Sequence, residues 1–193
     1  MICALALVLL LDASGSISAR DWQLQLDGHA AALESPEVQR IIARDGLAVS
    51  AWAFADYAQG LAGWTVLRTP DDARALATRL RTSPRLMSGG TDIGQALRVA
   101  TGALGVAPCG DSAVIDLVTD GEAAAAPTEA ARDEAARRGV VINALAVGSP
   151  DAAAWLREHA VTPGGFVVQA AGWGEFAAAM RRKMVLEVAQ AVR

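Results

Sequence analysis

Three short stretches of the 193-residue chain concentrate oxygen donors: Asp12-Ala13-Ser14-Gly15-Ser16, Gly89-Gly90-Thr91-Asp92 and Thr119-Asp120-Gly121-Glu122. They offer carboxylates and hydroxyls and no soft ligand. That set suits a small hard cation, which takes oxygens at roughly 2.0–2.1 Å in an octahedron and keeps some of its water. In an extended turn Asp12, Ser14 and Ser16 point the same way, and the glycines at 15, 89, 90 and 121 let backbone fold tightly around an ion. Taken singly, each stretch reads as ordinary punctuation: a turn before a helix, a loop with Thr91 as helix cap, a turn after a strand. The combination carries the reading. Asp92 and Glu122 read as a helix cap and a surface acid, with an outer acceptor role beside the ion as the alternative.

Other chemistry finds little to stand on. No Gly-x-Ser-x-Gly elbow is present and no histidine lies near the three stretches, so Ser14 is not read as a nucleophile. No Gly-x4-Gly-Lys phosphate loop occurs. His29 and His159 read as helix-surface or packing residues. The two cysteines, Cys3 and Cys109, lack the paired spacing of a zinc site and are too few for a disulfide scaffold.

Composition narrows the class. The chain is 53% apolar with a net charge of −4, which excludes intrinsic disorder and argues against nucleic acid as the main partner. The length suits one domain over residues 1–193. Sixteen of the seventeen basic residues are arginine, a composition typical of GC-rich bacterial genomes. Ile2–Leu11 is an apolar run of ten. It has no basic residue before it and no cleavage pattern after it, and it falls short of the roughly 20 residues of a membrane span. It reads as a buried strand.

The elements that must position the three stretches alternate along the chain. Strands are expected at 3–11, 47–54, 64–67, 113–119, 140–147 and 166–169. Ser18 caps a first helix with Asp21 as its box partner, and Ser35-Pro36 interrupts it before a short turn around Val38–Ile42. Thr69-Pro70-Asp71-Asp72 starts a helix running to about Arg81. Further helices follow Asp92, cover 127–138 up to Gly139, cover 152–158, and run from Trp173 to about Val192. In the last, Phe176, Met180, Met184 and Val188 form a core stripe and Arg181-Arg182-Lys183 reads as a solvated face. A hairpin across 56–63 makes 64–67 an antiparallel edge strand. Trp52 reads as core, while Trp64 and Tyr57 stay open between core and partner surface. The expected fold is a three-layer, doubly wound α/β domain with a six-stranded, mostly parallel sheet. The oxygen-rich stretches fall at carboxyl ends of strands, where such sheets bind ligands.

The pattern Leu9–Ile17, Gly89–Leu97 and Val118–Glu122 resembles a von Willebrand factor A domain with a metal-ion-dependent adhesion site (MIDAS), over nearly the whole chain. More narrowly, Gln25–Leu33, Val114-Ile115-Asp116 and Phe176–Lys183 resemble a bacterial subgroup described as domain of unknown function 1194. Thr119-Asp120-Gly121 departs from the Ser-Gly-Asp-Gly stretch frequent there. The resemblance implies that Asp12, Ser14, Ser16, Thr91 and Asp120 surround one divalent ion, Mg²⁺ first, with Mn²⁺ or Ca²⁺ as the other candidates. It implies an open position for a Glu or Asp carboxylate of a protein partner, drawn by the charge that two carboxylates leave on the ion. It thus implies a binding or adhesion module rather than an enzyme. A Mg²⁺-dependent phosphate-ester hydrolase and a structural subunit of a larger assembly, for example beside an ATPase, are the alternatives. The resemblance also sets the first and fourth strands side by side. Cys3 and Cys109 then meet at the end of the sheet opposite the metal, read as buried free thiols with a disulfide as the alternative. The subgroup suggests a periplasmic or secreted protein if a leader is removed, and a cytoplasmic one otherwise.

Overall fold

The computed structural model describes residues 3–191; Ile2 of the apolar run and Val192 of the last helix lie outside the described residues. Six strands are β1 (Leu5–Asp12), β2 (Leu47–Phe54), β3 (Ala58–Leu67), β4 (Ser112–Thr119), β5 (Val140–Val147) and β6 (Val167–Ala170). Among the described residues seven α-helices are α1 (Ala19–Leu33), α2 (Pro36–Asp45), α3 (Pro70–Arg81), α4 (Ile93–Leu104), α5 (Ala125–Arg137), α6 (Pro150–His159) and α7 (Phe176–Ala191). The sheet order is β3-β2-β1-β4-β5-β6, and only the β2–β3 pair is antiparallel.

Strand alternation divides the core into two layers. Leu5, Leu7, Leu9 and Leu11 of β1 pack with Trp22 and Leu26 of α1, Leu76 and Leu80 of α3, and Phe176 and Met180 of α7. Val8 and Leu10 face Ile93 and Leu97 of α4, Ala131 of α5 and Leu156 of α6. Because β1 is buried on both faces along its whole length, its apolar run has no polar side to show. Capping boxes hold the starts of α1 (Ser18 with Asp21) and α3 (Thr69 with Asp72). Gly139, with φ +73°, closes the turn between α5 and β5.

Three expectations need correction. The edge strand β3 begins at Ala58 rather than 64. Its Gly60 and Gly63 look like turn residues, yet Gly60 pairs with Trp52 beneath that ring. Cys3 and Cys109 are not free thiols; they form a disulfide, with Cα atoms 5.6 Å apart. The β1–β4 register, extended by Asp111 N–H to Cys3 O and Ser112 N–H to Ala4 O, brings them within bonding reach. Lys183 is not on a solvated face. The buried side of α7 is wider than a four-residue stripe and takes in Ala179, Lys183 and Glu187 beside Phe176, Met180, Met184 and Val188.

Candidate metal centre

The carboxyl ends of β1, β2 and β4 lie side by side, and each is followed by an acid: Asp12 closes β1, Asp56 follows β2, Asp120 follows β4. Asp12 is fully buried. Its Oδ1 accepts from the Ser14 N–H at 2.7 Å and its Oδ2 from the Thr119 hydroxyl at 2.6 Å. The Ser14 and Ser16 hydroxyls lie 3.1 Å apart, and the Ser16 hydroxyl donates to Asp120 Oδ1 at 2.7 Å. Four of the five expected donors therefore form one connected set of oxygens. Thr91 stands on the adjoining loop, which is tied to the first by the Gly15 N–H to Gly89 O bond of 2.8 Å. It makes no hydrogen bond to the other four among the described residues.

Residues outside the expected five hold these loops. Gln25 of α1 donates to the Asp12 carbonyl at 2.9 Å. The Arg85 guanidinium donates to the carbonyls of Ala13 (3.0 Å) and Ser14, fixing the turn from its outer side. Asp56 accepts from the Gly90 N–H at 2.9 Å, and its carboxylate fills the space a Cβ on Gly89 (φ +138°) or Gly90 would need. Glycine is thus required there by close approach as well as by φ. Asp56 had a readable signal, since it ends a strand as Asp12 and Asp120 do. Arg85 had none, and Gln25 stood out only as the first residue of a stretch that carries the narrower resemblance. Asp92 caps α4 through the Gln95 N–H at 2.8 Å, and Glu122 is exposed. Tyr57, half exposed, sits on the same end at the β2–β3 turn. Trp64 is partly buried against the core, with its N–H on Ala103 O at 3.2 Å.

Burial pushes the Asp12 carboxyl above the usual aspartate range; hydrogen bonds from Ser14 and Thr119 oppose this and the Asp120 charge adds to it. No cationic side chain bonds to either carboxylate among the described residues, which leaves both open to a cation. No group of three or more His, Cys, Asp or Glu is arranged to hold a metal among the described residues. Here only two donors are acids and the others are hydroxyls, which fits a hard, partly hydrated ion rather than a soft one.

The model of the family described as "Protein of unknown function (DUF1194)" matches residues 2–192. The chain belongs to this family. No curated protein matches it. Among solved structures, proximal thread matrix protein 1 from the mussel byssus superposes with a TM-score of 0.77 at 18% identity, over 97% of this chain and 48% of that one. The same mussel protein "with zinc occupied MIDAS motif" gives 0.71, again at 18% identity, 97% and 48%. The vWF domain of the type V pili tip protein Mfa5 from Porphyromonas gingivalis gives 0.71 at 11% identity, over 100% and 97% of the two chains. The DUF1194 chain spans about half the length of the mussel protein. At these identities the likeness shows the fold, which is that of a von Willebrand factor A domain.

Proposed function

We propose that this DUF1194 chain is a single protein-binding module that holds a divalent cation, Mg²⁺ first, and uses it to capture an acidic side chain of a protein partner. The carrying observation is the connected oxygen set of Asp12, Ser14, Ser16 and Asp120, whose two carboxylates bond to no cationic side chain among the described residues. Asp12, Ser14, Ser16 and Asp120 would hold the ion, with Thr91 joining from the next loop. The ion supplies a positive Lewis-acid centre when bound. This chain's own groups orient the donors: Thr119 and the Ser14 N–H fix the Asp12 carboxylate, and Arg85 and Asp56 fix the two loops. The titratable groups in the connected set are the two aspartates, and both are committed to the ion in this reading, which favours binding over hydrolysis. The disulfide supports an oxidising compartment, outside the cytosol.

The test is calorimetric titration of Mg²⁺ and Mn²⁺ into EDTA-stripped protein, with Asp12→Ala as control. Saturable binding is expected in the wild type and none in the variant. Thermal stability is expected to rise by about 2.7 kcal/mol at one hundred times the dissociation constant. Equal behaviour of the two proteins, with a peptide carboxylate present to complete the ion's coordination, would overturn the reading.

A further inference from the structure

Four titratable side chains meet where α7 crosses the sheet, and the metal centre uses none of them. Asp116 of β4, Lys183 and Glu187 of α7 and His29 of α1 are each at most 1% exposed. Lys183 pairs with Asp116 and, at 2.5 Å, with Glu187. The His29 ring lies against Phe176 with its Nδ1 on Gln25 O at 2.7 Å, and its Nε2 has no partner. Asn143, next to Asp116 across the β4–β5 pair, spends its Oδ1 on the Phe166 N–H. The segments Gln25–Leu33, Val114–Asp116 and Phe176–Lys183, which carry the narrower resemblance, all converge here. Even Gly28 serves the junction, since a Cβ there would lie 2.5 Å from the Phe176 ring.

Charge counting makes the cluster informative. Two carboxyls face one ammonium, and His29 is kept neutral because burial lowers its affinity for a proton. With both carboxyls ionised, an apolar layer would hold an uncompensated negative charge, which is strongly unfavourable. Asp116 Oδ1 meets the Lys183 ammonium alone, and neither Asp116 Oδ2 nor Glu187 Oε2 has a hydrogen-bond partner among the described residues. The two carboxyls interact, so a proton on one is the donor the other lacks. The other charged groups near α7 are at least partly exposed: Glu37 of α2 pairs with Arg181 at 2.8 Å on the outer face, Arg182 and Glu175 are exposed, and Asp111 is exposed at the cavity beside Glu187.

The structure assigns to Asp116, Lys183 and Glu187 the role of a proton-holding anchor: α7 seats on the sheet with Glu187 protonated and loses that hold when the proton leaves. Burial first, and then the Asp116 charge, push Glu187 up to about 8, while Lys183 pulls the other way. Once α7 is released Glu187 titrates near 4.5. Between these values the seated state holds one proton more than the released state, so release grows about tenfold per pH unit and levels off above about 8. Below about 6.5 His29 acts in the opposite sense, because only the released state protonates it there. The net rise in release therefore falls between about 6.5 and 8. A cavity of about 310 Å³ at the base of the sheet, lined by Glu187, Gln190, Asp111 and Gly139, gives the proton a route.

Lys183 is the chain's only lysine, so an amine-acylating reagent read by peptide mass spectrometry reports its exposure directly. Labelling of the intact protein is normalised at each pH to a free lysine peptide. The wild type is expected to gain about eightfold in normalised labelling between pH 6.5 and 8, because His29 still opposes the rise at 6.5 and Glu187 nears its plateau at 8, and then to level. Glu187→Gln, which keeps the shape and removes the titration, is expected to stay flat. So is Asp116→Asn, which leaves one acid per ammonium and serves if the first variant folds poorly. A flat wild-type profile, or a rise shared equally by the variants, would overturn the proposal. Because Asp12 is unchanged in all three proteins, comparison with the variants cancels its contribution and keeps this test separate from the metal reading.

Discussion

Replacing Cys3 and Cys109 together by alanine opens a covalent loop that spans 106 positions of sequence. In the chain-entropy account, closing a loop of that length removes about 16 cal/mol/K from the unfolded ensemble, or about 4.8 kcal/mol of stability at 25 °C. For a chain of this size each kcal/mol moves the midpoint by roughly 2–4 °C, so the double variant should melt about 10–19 °C lower. Two controls separate the cross-link from local packing. Reduced wild type lacks the bond but keeps both sulfur atoms, so it should melt close to the variant. The urea m-value should rise in both, because the opened unfolded chain exposes more surface. Differential scanning calorimetry on oxidised, reduced and variant protein gives the comparison. If reduction and substitution each move the midpoint by less than about 3 °C, the entropic reasoning fails. If thiol titration of unfolded, unreduced protein finds two free thiols, the bond itself is absent.

Gly28→Ala should destabilise despite a better helix former: overpacking against Phe176 costs about 1–3 kcal/mol and the propensity gain returns about 1. Urea denaturation checks this, and Phe176→Leu in the same background should lessen the effect of the added methyl. Asp56→Ala frees the Gly90 N–H and slackens the Thr91 loop, so Mg²⁺ should bind about tenfold more weakly by calorimetry, in line with a lost charge-assisted bond. The Arg81 guanidinium holds Glu34 below the usual glutamate range, so this pair stabilises above about pH 4.5 and loses its effect as pH falls. Glu34→Gln should cost at most about 1 kcal/mol at pH 7, given the partial exposure of the pair, and nothing measurable at pH 2.5. Thermal melts at the two pH values decide it.

How much was legible depended on whether a residue's neighbours were near in sequence. Leu5–Leu11, Val114–Thr119 and Val140–Val147 declare buried strands by composition alone, and Ser18/Asp21 and Thr69/Asp72 announce helix starts within four residues. The oxygen-rich stretches were readable because Asp12, Ser14 and Ser16 lie within five positions and because strand ends are where doubly wound sheets bind. Asp56 followed the same rule and was passed over because no hydroxyls accompany it. Long-range contacts left less trace. The partner of Cys3 depends on the β1–β4 register, and Gly60 looks like a turn residue until Trp52 is known to lie against it. Arg181-Arg182-Lys183 reads as one charged face, yet on a helix adjacent residues point about 100° apart, so one of the three turns inward to Asp116.

The disulfide has a mechanical side. β1 and β4 run parallel as neighbours, one ending in Asp12 and the other leading into Asp120, while their opposite ends are joined through Cys3 and Cys109. Tension from a partner held through an ion on both aspartates would enter two strands that cannot slide past each other, because their far ends are covalently yoked. Shear between them, which would otherwise meet only hydrogen bonds, is blocked before the Leu5–Ser112 register can slip. A tether at the start of β1 would transmit that load through two central strands rather than one.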